Sequence, residues 1–230
     1  MRTAIVSAMH EELASVLALM PDEQKVTLAG RDFYDGHLHG RAVVAVLSRI
    51  GKVAAATTAA VLIERFKVDR IVFTGVAGGL ATGVNRGDVV IADDFLQHDL
   101  DASPIFPKYE VPLYGTDRFG TDAALTDELA AAVRRALPGT RVHRGLVVSG
   151  DRFVSTTAES RALQAALPDA LAVEMEGAAI AQVCRDFGVT FAAVRTISDR
   201  ADDAAHGDFV SFIRDVASRH SAAIVAALLA

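Results

Sequence analysis

With one cysteine, Cys184, among 230 residues, the chain cannot close an internal disulfide, which fits a reducing compartment. That thiol lies in the helical pattern GAAIAQVCRDFG, where a small buried side chain is expected. Basic clusters are missing as well. The 23 Lys and Arg against 29 Asp and Glu leave a net charge of −6, and no Lys/Arg run or aromatic-studded basic stripe marks a nucleic-acid or membrane surface. Long apolar runs are also lacking: TAIVSAM at the N-terminus meets HEE at once, and AAIVAALLA near the C-terminus falls well short of a membrane span. A cytoplasmic protein without a targeting segment, a membrane partner or a nucleic-acid partner is therefore expected. No linker, repeat or low-complexity stretch divides the chain, so residues 1–230 are expected to form one domain. The seven histidines show no ligand spacing, and neither H-E-x-x-H nor C-x-x-C occurs. The glycine-rich TGVAGG has neither the G-x-G-x-x-G order of a dinucleotide loop nor the order of a P-loop. No metal and no cofactor is expected.

What is present is apolar mass: 51% hydrophobic residues are enough for a large core. Short β-branched runs (TAIVSA, RAVVAVLS, RIVFTG, GDVVIAD, RGLVVSG, LAVEM, TFAAVRTIS) recur with Ala-rich amphipathic segments between several of them. This is an α/β pattern. Helices are expected over about 10–20, 52–66, 121–137, 157–166, 177–187 and 209–229, and VTLAGRDFYDGHLHGRAVVAVLS reads as an antiparallel meander. The fold class is a mixed β-sheet covered by α-helices. Residues 96–118, rich in Pro, Tyr, Phe and Asp, form the one long irregular loop, a length that often marks function or an interface. HDLD, His98 to Asp101, reads as a motif that structures this loop.

Charged residues inside such strands need partners, because an unpaired buried charge costs several kcal/mol. In LAVEMEGAAIAQ, alternation sends Glu174 and Glu176 to the same side of a strand end, and Glu176 opens the next helix. A carboxylate there is also favoured simply as a first-turn acid. Three other strand ends share the peculiarity: TAIVSAMHEE ends in Glu11 and Glu12, RIVFTGVAGG in a glycine turn with Gly75, Gly78 and Gly79, and FAAVRTISDR in Arg195 and Asp199. Ligands of open α/β sheets bind at the carboxyl ends of strands. Together these groups point to one site where Arg195 meets a carboxylate partner. Separate carboxylates without metal ligands suit acid–base hydrolysis of a glycosidic bond, one protonating a leaving group and another activating water.

The ordered set AMHEE, RIGKVAAA (a variant of GIGKVAAA), TGVAGG, HDLD, VSGDRF, VEMEGAAIA and RTISD resembles the 5′-methylthioadenosine/S-adenosylhomocysteine nucleosidases, over essentially the whole chain. The resemblance implies the three-layer nucleoside phosphorylase architecture and a cofactor-free homodimer that hydrolyses a nucleoside to adenine and a thioribose. It implies Glu12 as the base that activates water, Asp199 as the acid that protonates purine N7, and Arg195 as an orienting group. Glu176 would hold the ribose hydroxyls and stabilise positive charge at the anomeric carbon. Met175 and the backbone after it would line the sugar, Phe153 would stack on the purine, and the Val154 main chain would read its Watson–Crick edge. Ala77, Gly78 and Ser198 belong to the same implied binding set, and Glu174 is the candidate for a supporting role.

Two departures stand out. Val76 replaces a serine common among relatives, leaving the backbone to serve there, and DASPIFPKYEVP places Ile105 and Phe106 where an aromatic of the partner subunit closes the 5′ pocket. Either of the two can fill that role, so preference among 5′ substituents, 6-amino-6-deoxyfutalosine included, stays open. Two rivals are weighed. A phosphorylase is disfavoured by Glu11 and Glu12, which would repel a phosphate dianion. A non-catalytic nucleoside binder would have no use for both Glu12 and Asp199.

Overall fold

The computed structural model describes residues 1–212, 216 and 218–230. Its centre is a ten-stranded mixed sheet in which β1 (Thr3–Ser7) lies between parallel neighbours β4 (Arg41–Leu47) and β5 (Arg70–Gly79). Beyond β4 come β3 (Arg31–Leu38) and β2 (Gln24–Leu28), the antiparallel meander expected from the sequence. Its two turns, Ala29-Gly30 and His39-Gly40, place all four residues at positive φ, as two-residue hairpins need if they are to match the strand twist.

On the other side of β1 the sheet closes on itself. β5 pairs with both β10 (Thr190–Asp199) and β9 (Ala170–Glu174), and β8 (Val142–Ser149) and β6 (Val89–Gln97) complete a ring in the order β5-β10-β6-β8-β9. The short β7 (Arg118–Gly120) adds to β6. Helices cover both faces, giving the expected three layers. Alternation decides which side chain serves which face: Ala4, Val6, Ile71 and Phe73 pack towards α2 (Lys52–Phe66) and α5 (Gly177–Phe187), whereas Ile5 and Val72 pack towards α1 (His10–Leu17), α3 (Ala123–Ala136) and α7 (Ser218–Leu229). α4 (Thr157–Ala166) and α6 (Ala205–Phe212) complete the chain. Cys184 is buried in α5, and that burial pushes its thiol pKa up to about 12.

The helix boundaries differ locally from expectation. α1 stops at Leu17 rather than residue 20, and α3 starts at Ala123 because Asp122 caps it, accepting the Leu125 N–H at 2.8 Å. The single helix expected over 209–229 corresponds to α6, which begins earlier, and α7; residues 213–215 and 217 of that span lie outside the described residues. The long loop stands between β6 and β7, and HDLD structures it: Asp99 accepts the Asp151 N–H at 2.8 Å and Asp101 the Ser103 N–H at 3.0 Å. Among the described residues no helix is long and apolar enough to cross a membrane.

Candidate active site

β5 does not end in a glycine turn. It runs as strand through Gly75, Val76, Ala77, Gly78 and Gly79, paired with β10, and close approach is what demands glycine. A Cβ on Gly75 would sit 2.6 Å from Arg195 Nη1 and 3.4 Å from Glu12 Oε2; one on Gly78 would sit 3.0 Å from Asp199 Oδ1. Bare backbone therefore lets three charged side chains lie against one strand. At about 3.3 Å per residue, the Glu12–Arg195 end and the Asp199 end stand roughly 10 Å apart along it.

Each charge has its own support. Glu12, on the first turn of α1, is fully buried; its Oε2 accepts the Met9 N–H at 3.3 Å, and Oε1 has no protein partner among the described residues. Its neighbour Glu11 is exposed, so of that acidic pair only Glu12 enters the interior. Arg195, also buried, donates from Nη2 to Glu174 Oε2 at 2.6 Å and lies 3.5 Å from the centre of the Phe73 ring. Glu174 in turn accepts the Gly177 N–H at 2.9 Å, the Glu176 N–H at 3.2 Å and the Ser149 hydroxyl. Glu176 is the N-terminal cap residue of α5, and its Oε1 accepts the Gly51 N–H at 2.8 Å. The two carboxylates of LAVEMEGAAIAQ thus differ: Glu174 is held by Arg195 and by the start of α5, whereas Glu176 reaches across to Gly51.

Asp199 ends β10. The register with β5 skips Ser198 between Ile197 and Asp199, and such a bulge re-aims side chains; here Ser198 and Asp199, adjacent in sequence, line the same cleft. The Ser198 hydroxyl donates to Asp199 Oδ2 at 2.7 Å and the Ala201 N–H to Oδ1 at 2.8 Å.

The cleft measures about 360 Å³. Of the residues expected in the site, Val76, Ala77, Gly78, Phe153, Glu174, Met175, Glu176, Ser198 and Asp199 line it. Val154 lines a cavity of about 20 Å³ that shares Phe153, Met175 and Asp199 with it. Glu12 and Arg195 are not part of its wall but are buried side by side against Gly75. Ile105 and Phe106 do not reach the cleft of their own chain, and Ile105 is 82% exposed. Sequence reasoning missed Met9, Ile50, His206 and Phe209, which line it too. Phe209 meets Phe153 edge-on, with ring centres 5.5 Å apart. Only the position of Met9 within AMHEE and of Ile50 within IGK could have marked them, since their side chains are ordinary apolar ones.

Burial shapes the electrostatics. Desolvation raises the pKa of Glu12 from 4.5 to about 7 against the opposing pull of Arg195. For Glu176 burial, followed by repulsion from Glu174, raises it to about 8. A carboxyl poised near neutrality is suited to receive a proton during turnover. Chemically, the arrangement offers one such base, a second carboxyl at the far end of the strand, and a carboxylate between apolar walls that can accept hydroxyl hydrogen bonds.

Comparison with known proteins identifies the family of the chain. The family model of the phosphorylase superfamily matches residues 2–230. The 5′-methylthioadenosine/S-adenosylhomocysteine nucleosidase of Geobacillus thermodenitrificans is 37% identical over 230 residues, covering 100% of this chain and 96% of that protein. The nucleosidase of the same name from Neisseria meningitidis, solved in complex with methylthio-immucillin-A, superposes with a TM-score of 0.94 at 36% identity, covering 99% of this chain and 98% of that one. A futalosine hydrolase of Helicobacter pylori superposes with a TM-score of 0.92 at 31% identity, covering 99% and 97% respectively. The chain belongs to the phosphorylase superfamily and, within it, to the 5′-methylthioadenosine/S-adenosylhomocysteine nucleosidase family.

Proposed function

We propose that this protein hydrolyses the N-glycosidic bond of 5′-methylthioadenosine and S-adenosylhomocysteine, releasing adenine and the thioribose. The observation that carries the reading is the pair of carboxyl groups set apart along β5, Glu12 beside Arg195 at Gly75 and Asp199 at Gly78. As the bond from C1′ to purine N9 breaks, water forms the new bond to C1′ and gives a proton to Glu12, while Asp199 delivers its proton to N7. Glu12 Oε1, which has no protein partner among the described residues, is the oxygen available to take that proton. The Ser198 hydroxyl and the Ala201 N–H stabilise the carboxylate left on Asp199. Glu176, which burial and Glu174 bias towards its protonated form, ionises to accept the ribose hydroxyls and to offset the positive charge that develops at C1′. Arg195, fixed by Glu174, holds its charge next to Glu12 and keeps that carboxyl from rising further.

Phe153 stacks on the purine and the Val154 backbone reads its edge. Met9, Ile50, Met175 and Phe209 give the 5′ substituent an apolar wall. In our reading the active form is a cytoplasmic homodimer of single-domain subunits, acting in methionine salvage without a cofactor. The exposed Ile105, with Phe106, lies on the loop that closes the partner's 5′ pocket, and the exposed apolar Ile50, Val53 and Leu113 supply surface for that contact. The likeness to the Helicobacter futalosine hydrolase supports 6-amino-6-deoxyfutalosine as a second substrate of the same site.

The test is product analysis with methylthioadenosine in buffer with and without phosphate. Adenine should appear at the same rate in both, with free methylthioribose as co-product. Strict dependence on phosphate, with methylthioribose 1-phosphate formed, would move the protein to the phosphorylases.

A further inference from the structure

Beside the nucleoside cleft lies a second cavity of about 490 Å³, which shares the walls Ala8, Met9 and Ile50 with it. It opens from the apolar end assigned above to the 5′ substituent, and its chemistry is different. Arg31, at the start of β3, and Arg49, just before Ile50, both line it. The two guanidinium groups are close enough that the charge of Arg49, after burial, lowers the pKa of Arg31. Neither is paired with a carboxylate among the described residues. Among the described residues Arg31 donates only to the carbonyls of Ala29 at 2.9 Å and Ala54 at 3.2 Å, Arg49 only to that of Gly30, and Arg31 Nε is buried without a partner. The acid in this cavity, Asp32, already accepts from Thr27 at 2.6 Å and Lys25 at 3.4 Å.

Backbone geometry marks the same place. Arg49 has φ +67°, a left-handed conformation that glycine adopts freely and that costs a residue with a side chain. It occupies the first position of RIGK, where the family form quoted above has glycine. Two residues on, the Gly51 N–H binds Glu176, so a short rigid segment ties this arginine to the carboxylate assigned to the ribose. Like charges held together over unsatisfied donors are stabilised by an anion between them, and a guanidinium fork matches a carboxylate.

We propose that Arg31 and Arg49 form a carboxylate-recognising subsite for the far end of the 5′ substituent, which selects adenosine derivatives with an acidic tail over methylthioadenosine. The inference rests on the nucleosidase reading above and adds to it two specificity-determining residues. The carboxylate has two possible sources, the amino-acid tail of S-adenosylhomocysteine and the aryl acid of 6-amino-6-deoxyfutalosine.

The test measures kcat/KM for both acids, for methylthioadenosine, and for the decarboxylated aminopropylthio analogue of S-adenosylhomocysteine, in wild type, Arg31→Gln and Arg49→Gly. The last variant suits the left-handed position and should fold well. A charge-assisted pair is worth roughly 10- to 100-fold, so the ratio of at least one acid to methylthioadenosine should fall by about that factor in each variant. The acid whose ratio falls identifies the source. The ratio for the decarboxylated analogue, whose terminal ammonium the two arginines repel, should hold or rise. If neither acid's ratio falls, or if the decarboxylated analogue loses as much, the subsite is overturned. Failure of the wild type to release adenine from any of these compounds would instead remove the nucleosidase reading, so the two failures are distinguishable.

Discussion

Behind the inner end of the cleft Arg195 is 1% exposed and meets Glu174 at 2.6 Å, whereas at the mouth Arg31 and Arg49 donate, among the described residues, only to main-chain carbonyls. The inner guanidinium is clamped between a carboxylate and an aromatic ring, and that carboxylate is itself held by the Gly177 and Glu176 N–H groups. Groups that must meet a transition state profit from being fixed before the substrate arrives. Groups that meet a variable tail profit from partners they can leave, and carbonyl oxygens are such partners. The two ends thus divide chemistry from selectivity, and they do so with the same side-chain type. Glu174 and Glu176 both line the cleft, but the first is used up by Arg195 and the start of α5, whereas the second reaches across to the Gly51 N–H.

The sharpest way to break this comparison is to remove the proposed proton transfers at the inner end. Asp199→Asn should lower adenine release from methylthioadenosine by about 10²–10⁴-fold. A riboside that enters the site with nitrophenolate as leaving group needs no proton and should keep much of its turnover. Glu12→Gln should lose both activities, because water must be activated for either donor. The readout is steady-state rate on the two substrates, with unchanged melting transitions confirming the fold. Equal losses for Asp199→Asn together with a spared nitrophenyl activity for Glu12→Gln would reverse the two roles.

Next in size is the contrast in stability between the ends. Glu174→Gln leaves the Arg195 charge buried without its counter-charge, which should destabilise the fold by about 3–5 kcal/mol. Arg49→Gly, at an exposed position that glycine suits, should stay within about 0.5 kcal/mol of wild type. Urea unfolding of both variants measures the difference directly. Similar midpoints would mean that the inner pair is no more embedded than the outer one.

Much of this was legible in the chain. β1, β5 and β10 announce themselves by unbroken apolar runs, because both of their faces are covered, and Glu12, Arg195, Asp199 and Glu176 stand out as charges at the ends of such runs. The continuation of β5 through Gly75 and Gly78 was not legible, since glycines in a strand pattern read as a turn until the side chains that crowd them are known. Ring closure through β9 and β10 was also hidden, because it depends on pairings distant in sequence rather than on local pattern. The bulge at Ser198 breaks the alternation on which face assignments rest. Arg31 and Arg49 could not be joined for a plainer reason: they are 18 positions apart, one in β3 and one in the loop after β4, and the variant form RIGK by itself names no partner.

The smallest effect expected is in pH, and it probes the desolvation of Glu12. Burial raises its pKa from 4.5 to about 7 in the folded protein. Below 4.5 both folded and unfolded chains hold the proton, so the group does not discriminate. Between 4.5 and about 7 the unfolded chain releases it while the folded protein keeps it; the unfolded state then binds fewer protons, and stability falls as pH rises. Above about 7 the loss is complete. At 1.36 kcal/mol per pKa unit, the change between pH 5 and pH 8 is about 2 kcal/mol. Other groups titrate over this range, so the quantity to follow is the stability of wild type minus that of Glu12→Gln, whose amide does not ionise. Glu176, raised to about 8, is present in both proteins and largely cancels. Urea unfolding at pH 5, 6, 7 and 8 should show the difference moving by about 2 kcal/mol in favour of the variant. Catalysis should move the other way: in the proposed mechanism the ionised form of Glu12 is the base, so on the acid limb kcat/KM of wild type should drop by about tenfold or more per unit below pH 7. Arg49→Gly, at the mouth, should leave the acid limb of that profile where it is in wild type. A stability difference that stays flat from pH 5 to pH 8 would mean that Glu12 ionises as it does in water, and the inner end of the cleft would lose the desolvated character that sets it apart.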